Sequence, residues 1–212
     1  MINLFIDTSS SRIVVALTKD SQLINIINEV NGHDLSSRAL PLIDKLLKMS
    51  NTEPSAIDRI YVVNGPGSFT GIRIGVTIAK MMAWTLNKEI VTISELELLA
   101  TTDFDTDYII PWIDARRKAV FAGVYDKNGN VIEDKYIKIK DLQESLETNK
   151  TYTFVSYDDV DEIKDSIKPE IDVLKVIERH QRDKSLNPHS VNPNYLKMTE
   201  AEENLQKRES NV

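Results

Sequence analysis

No cysteine occurs among the 212 residues of the sequence, which excludes disulfide bonds, a thiol nucleophile and cysteine-ligated zinc. The sequence also has no apolar run of about 18 residues and no basic leader followed by an apolar segment, so we expect a cytoplasmic protein without membrane contact. Acidic residues outnumber basic ones, 33 to 26, for a formal net charge of −7. Because affinity for nucleic acid comes largely from cations on phosphates, we expect a partner to hold any RNA.

Glycine is also scarce, and four of the seven glycines lie in one stretch, GPGSFTGIRIG at positions 65–75. This stretch follows a strand-like run at 60–63 and opens a helical run to Trp84, which predicts a strand, a glycine-rich turn and a helix. Glycine and a helix N-terminus together suit phosphate binding. The spacing disfavours that function, because a P-loop needs a Lys-Ser/Thr pair after Gly71 and a dinucleotide fingerprint needs its third glycine one residue earlier.

The helix that follows carries a ridge of small side chains. Gly71, Gly75, Ala79 and Ala83 recur every four residues and therefore share one face. Glycine inside a helix costs about 1 kcal/mol relative to alanine, so Gly75 indicates a need for close packing. The sequence leaves two explanations open: the ridge packs on the protein's own sheet, or it receives a helix of another polypeptide.

The remaining pattern predicts two related α/β lobes. Three strands fill residues 1–30, an apolar-faced helix covers 35–49, and strands give way to helices again after a polar stretch at 101–107. We therefore expect lobes at 1–102 and 103–198 and a charged tail at 199–212. The segment at 160–167 reads as a short helix, and the segment at 173–177 reads equally as a helix or a strand.

The first connection, Asp7-Thr8-Ser9, places an acidic residue and hydroxyls after the first strand. An actin-like ATPase would hold its metal-organising aspartate and first phosphate loop at this place. The loop has no glycine, and the same residue types form ordinary turns by bonding their own backbone.

The chain resembles the TsaB (YeaZ) family in five pieces that span nearly its full length. The glycine-rich stretch is the most specific of them, and the others gain weight from their order. They are Ile6-Asp7-Thr8-Ser9; His33 with Leu40-Pro41; residues 65–75; Asp114-Ala115-Arg116; and Pro193-Asn194-Tyr195-Leu196-Lys197 with Ala201-Glu202.

The resemblance implies a two-lobed actin-like ATPase fold (ASKHA, ribonuclease H-like) with mixed sheets flanked by helices. It also implies a non-catalytic scaffold that binds the transferase TsaD, and with it TsaE, while TsaD transfers threonylcarbamoyl to adenosine 37 of tRNA. ATP and a metal ion would then sit on partner subunits, tRNA contact would be indirect, and the isolated chain could form a homodimer. An ATP-dependent small-molecule kinase and a metallopeptidase-like protein are the alternatives.

The same resemblance implies an interface on two first-lobe helices and no catalytic or metal-binding residue on this chain. Asp7, Thr8 and Ser9 would form at most a vestigial nucleotide loop. On this view Ala79→Arg should prevent association without unfolding the monomer. The expected interface residues are Leu35, Arg38, Ala39, Leu42, Ile43, Leu46, Gly71, Ile72, Gly75, Val76, Ala79 and Ala83.

Overall fold

The computed structural model describes residues 1–32 and 34–197. His33, Ala201-Glu202 and the tail predicted at 199–212 therefore lie outside the described residues. None of the helices in the described ranges has the length and apolar composition needed to cross a membrane.

The first lobe is built on a five-stranded mixed sheet. Strands β1 (Ile2–Asp7), β2 (Arg12–Lys19) and β3 (Gln22–Val30) are antiparallel, whereas β4 (Arg59–Gly65) and β5 (Glu89–Ser94) extend the sheet from β1 in parallel, in the order β3-β2-β1-β4-β5. Helices α1 (Leu35–Met49) and α2 (Phe69–Thr85) cover one face of this sheet. These elements match the strands and helices predicted from the sequence.

The second lobe repeats the same connectivity after the short helix α3 (Glu95–Leu99). Strands β6 (Tyr108–Asp114), β7 (Ala119–Asp126) and β8 (Gly129–Lys138) form an antiparallel meander. After α4 (Ile139–Ser145), strands β9 (Tyr152–Val155) and β10 (Ser166–Ile167) add in parallel, giving the order β10-β9-β6-β7-β8. The prediction of two related α/β lobes is confirmed.

Helix α5 (Val173–His180) returns to the first lobe, so the predicted second-lobe bounds, 103–198, are wrong for this part of the chain. Its apolar side packs on the sheet face opposite α1 and α2, beside Phe5 of the central strand. The physical reason is that both faces of β1 are apolar, and within 1–102 only the short α3 contributes a helix on that side. The helix predicted at 160–167 is also wrong, because this segment forms turns and β10.

Candidate functional site

The glycine-rich stretch is locked onto the β1–β2 loop of its own subunit. The Ser68 backbone N–H donates to the Ser9 carbonyl oxygen at 2.7 Å, and the Thr8 hydroxyl donates to the Gly71 carbonyl oxygen at 2.7 Å. The Ser68 hydroxyl caps α2 by accepting from the Gly71 N–H at 3.2 Å. The first turn of α2 and the loop that follows β1 therefore form one hydrogen-bonded unit.

Three glycines are required by the closeness of this contact. A Cβ atom on Gly67 would lie 2.4 Å from the Ser9 carbonyl oxygen, and one on Gly71 would lie 2.0 Å from the Thr8 carbonyl oxygen. On Gly75 it would lie 2.5 Å from the Thr8 hydroxyl oxygen. The glycines allow this stretch to pack closely against the β1–β2 loop. Their concentration is therefore explained without a bound phosphate group.

The small-residue ridge faces the protein's own sheet, so its assignment to a partner interface is wrong. Ala79 and Ala83 are buried in the same core as β1 and β4, where Ala79 has no exposed surface. Because Ala79 is buried, Ala79→Arg would push a charge into this core, and we now expect this variant to lose stability as a monomer. The small-residue face of α2 packs on the sheet because side chains without bulk allow the closest approach.

Most other residues expected at the interface also belong to this core. The buried ones are Leu35, Ala39, Leu42, Ile43 and Leu46 of α1, and Ile72 and Val76 of α2. Arg38 is partly exposed, and its guanidinium forms an ion pair with Glu29 at 2.6 Å. The apolar face of α1 is broad because it covers the sheet and contacts α2.

Large apolar side chains nevertheless remain on the outer surfaces of the same two helices. They are between 53% and 64% exposed. Beside α2, a groove of about 280 Å³ runs between Met81, Trp84 and His189. The exposed set comprises Leu40 and Met49 of α1 and Phe69, Met81 and Trp84 of α2.

The C-terminal segment is tied to the outer side of α2. The Phe69 and Tyr195 rings stack with centroids 5.2 Å apart, and the Arg73 guanidinium lies 3.8 Å from the Phe69 ring centroid. The Arg73 Nε–H also donates to the Tyr195 hydroxyl at 2.7 Å. The segment around Tyr195 thus helps to shape the surface that α2 presents.

A cleft of about 550 Å³ separates the two lobes. Because the lobes repeat one topology, equivalent hairpin loops face it: the β1–β2 loop brings Ser9, Ser10 and Ser11, and the β6–β7 loop brings Asp114 and Arg116. Within the described residues, no group of three or more His, Cys, Asp or Glu side chains is placed to hold a metal ion.

Two buried carboxyl groups lie next to each other here: Glu95 lines the cleft, and Asp7 is its neighbour. Asp7 Oδ1 accepts from the backbone N–H and the hydroxyl of Ser9, both at 2.7 Å. Burial raises the pKa of Asp7 to about 6, although the bonds from Ser9 lower it. Burial, and after it the charge on Asp7, raises the pKa of Glu95 well above its usual range.

The structure therefore brings the predicted loop residues Asp7, Thr8 and Ser9 together with a residue that the sequence analysis missed. This residue, Glu95, is the first residue of α3 and directly follows β5. The signal that could have found it is topological, because the carboxyl ends of parallel strands meet at one edge of a sheet. Strands β1 and β5 both flank β4 in parallel, so the residues after them converge.

Comparisons with known proteins relate this chain to the TsaB and TsaD families. The family model described as "TsaD: tRNA N6-adenosine threonylcarbamoyltransferase" matches residues 24–164. The tRNA threonylcarbamoyladenosine biosynthesis protein TsaB of Bacillus subtilis is 37% identical over 161 residues, covering 73% of this chain and 70% of the relative. The protein of the same name from Haemophilus influenzae is 33% identical over 56% of this chain and about half, 51%, of its own length.

Solved structures agree on the fold. A crystal structure of a Pseudomonas aeruginosa protein described as similar to the peptidase YeaZ superposes with a TM-score of 0.79, covering 92% of this chain and 99% of that one. Its sequence identity is 22%, so this likeness concerns the fold alone.

Proposed function

This chain belongs to the TsaB family, and on that premise we propose that it is a non-catalytic subunit of the machinery that makes threonylcarbamoyladenosine in tRNA. Its partner is a TsaD subunit in the cytoplasm, joined by TsaE in a larger assembly. A role in tRNA threonylcarbamoyladenosine biosynthesis follows from the name that the TsaB relatives share. The scaffold role is the further step proposed here.

The observation that carries the scaffold role is the exposed apolar surface on α1 and α2. The inner faces of both helices are committed to the core, yet large side chains such as Met81 and Trp84 remain on the outer side. Exposed apolar patches of this kind mark protein interaction sites. A second pair of helices laid across them would complete a four-helix contact.

A TsaD-family subunit is the partner that best fits this surface. The TsaD family model matches this chain from within β3 through α1 and α2, so a TsaD subunit carries a related helix pair. Two related helix pairs can pack about a pseudo-twofold axis, as identical ones do in an isologous dimer. In the absence of TsaD, the same surface serves a homodimer.

The chemistry is assigned to the partner subunits. ATP and the catalytic metal ion would be bound by TsaD and TsaE, and the tRNA by the assembly as a whole. The net charge of −7 supports this division, because a chain with excess negative charge is poorly suited to bind RNA phosphates directly.

Met81→Glu tests the interface directly. Met81 is 60% exposed, and methionine and glutamate have similar helix propensities, so the monomer should keep its melting temperature. A charge in the centre of the contact should abolish co-purification with TsaD and the formation of threonylcarbamoyladenosine in a reconstituted assay read by nucleoside mass spectrometry.

The matched control is Val131→Glu, which changes an apolar residue of similar exposure on β8 in the second lobe. It should bind TsaD and support the modification like the unmodified chain. Normal co-purification of Met81→Glu would contradict the interface, and a chain that forms the modified nucleoside without TsaD would contradict the non-catalytic role.

A further inference from the structure

Ser94 lies directly before α3 but does not cap that helix. A serine in this position usually accepts a hydrogen bond from the backbone of the first helical turn, and its side chain makes no such bond here. The Ser94 hydroxyl instead donates to Oδ2 of Asp134, which belongs to β8 of the second lobe. The end of β5 is therefore hydrogen-bonded directly to the second lobe.

The second lobe is shaped around the side chain of Asp134. Its other carboxyl oxygen, Oδ1, accepts from the Tyr125 hydroxyl at 2.6 Å and from the Asn130 side-chain amide at 3.3 Å. A Cβ atom on Gly123 would lie 2.3 Å from the same oxygen, so a glycine is required where the carboxyl group lies against β7. The β7–β8 pairing is irregular on both sides of Val124, and such irregularities re-aim side chains.

Apolar contacts surround this polar connection. Leu96 and Leu99 of α3 share a buried cluster with Tyr125 and Val155 of the second-lobe sheet. The ring of Tyr125 belongs to the cluster, while its hydroxyl bonds to Asp134. Hydrophobic contacts are non-directional, so the hydrogen bonds to Asp134 are what fixes the orientation of α3 on the second lobe.

We propose that Ser94, Asp134 and Tyr125 form a latch that holds the two lobes at one fixed angle. A change of angle must break the Ser94–Asp134 bond and leave the carboxyl group without one of its donors, which is costly away from water. The cleft therefore keeps one width, unlike the clefts of proteins whose domains close on a ligand by a hinge. The latch uses no residue of the exposed α1 and α2 surface, so it does not rest on the proposed partner interaction.

Because the sequence has no cysteine, two introduced cysteines can carry spin labels that report the angle between the lobes. Lys19 at the end of β2 and Lys140 in α4 are exposed and belong to different lobes. The full chain with Lys19→Cys and Lys140→Cys is labelled and mixed with excess unlabelled chain, so that only pairs within one chain contribute. Double electron–electron resonance then measures the distance between the labels, and we expect one narrow distribution.

Ser94→Ala should broaden this distribution, because it removes the bond between the lobes and leaves Asp134 bonded to Tyr125. Hydrogen exchange of the amides at 94–100 should also quicken by at least about tenfold, since a hydrogen bond to a charged group contributes about that factor or more. Asp134→Ala removes three bonds and should broaden the distribution further. Circular dichroism checks that both variants are folded, and Ser94→Ala alone decides the matter if Asp134→Ala does not fold.

The matched control is Glu133→Ala, which removes the neighbouring carboxylate of the same strand at an exposed position. It should leave the distribution unchanged and hydrogen exchange within about twofold.

Three results would overturn the latch. They are a broad distribution in the labelled chain that keeps Ser94 and Asp134, an unchanged distribution in Ser94→Ala, and equal broadening in Glu133→Ala. These readouts use the isolated chain, so their failure is distinct from a failure to bind TsaD.

Discussion

Gly71→Ala places a methyl group at the point where α2 touches the first loop. The new Cβ would lie 2.0 Å from the Thr8 carbonyl oxygen, which belongs to the backbone and cannot rotate away. Alanine in place of glycine stabilises an unobstructed helix by at most about 1 kcal/mol. Overpacking costs about 1–3 kcal/mol, and separating α2 from the loop also weakens the Thr8–Gly71 hydrogen bond, which contributes about 1 kcal/mol.

The net expectation is a loss of about 2 kcal/mol in the free energy of unfolding. Urea unfolding followed by circular dichroism measures it, and at an m-value of about 2 kcal/mol per molar the midpoint should fall by about 1 M. Gly75→Ala is the graded comparison, because its Cβ meets the Thr8 hydroxyl, a side-chain atom that can move. Its loss should be smaller, about 0–1 kcal/mol.

Thr77→Ala, at an exposed position of the same helix, controls for helix propensity and should stabilise the chain by a few tenths of a kcal/mol at about the scale of intrinsic preferences. A midpoint that rises in Gly71→Ala would refute the reasoning. That result would mean that the methyl group finds open space, and the small-residue ridge would again be available to a partner.

Three further predictions concern charges and the C-terminal segment. Burial raises the pKa of Glu95 in the folded state, so its burial costs stability as pH rises above about 4, the unfolded value. Glu95→Gln should therefore gain in melting temperature relative to the unmodified chain as the pH of the scan is raised from about 4 towards neutral. The His180 ring donates a hydrogen bond to Glu97 at 2.8 Å, and this bond raises the pKa of His180. The bond therefore stabilises the fold fully below about pH 6.5, the unfolded value, and this stabilisation is lost as pH rises through the higher folded value. The difference in unfolding free energy between the unmodified chain and His180→Gln should shrink accordingly in urea titrations from about pH 6 to 9. Arg73→Ala removes the contact between α2 and Tyr195 and should increase hydrogen exchange in the segment at 191–197, while exchange in β1 stays unchanged.

The sequence predicted the secondary-structure elements more accurately than the contacts between them. Local patterns were sufficient for the strands at the start of the chain and for both helices of the first lobe, because hydrophobic periodicity reports which residues are buried. Periodicity does not report what covers them. The ridge of Gly75 and Ala79 therefore read equally well as a contact with the sheet or with a foreign helix, and only the contact with Thr8 decides between them.

Long-range adjacency accounts for the other differences. Glu95 joins Asp7 because β5 and β1 end at the same edge of the sheet, which a single local window cannot show. Helix α5 was ambiguous at 173–177 since its eight residues offer little more than two turns of pattern. Its return to the first lobe is dictated by the uncovered apolar face around Phe5, a feature of the assembled sheet.

Helix α2 is apolar on both its inner and its outer side. Its two charged side chains both bond outward to the C-terminal segment, Arg73 to Tyr195 and Lys80 to the Val191 carbonyl oxygen at 2.6 Å. A helix that is hydrophobic all round is normally covered all round, but the sheet covers only the side of Gly75.

Burying large side chains such as Met81 and Trp84 contributes about 1.5–3 kcal/mol each, so a second helical layer over the outer side of α2 is favourable. The inner and outer sides then have different tasks. Small residues seat α2 close against β1, where Gly71 and Gly75 touch Thr8. This close packing sets how far the outer side chains of α2 stand from the sheet. The ridge therefore affects the proposed partner surface indirectly, by positioning the helix that carries it.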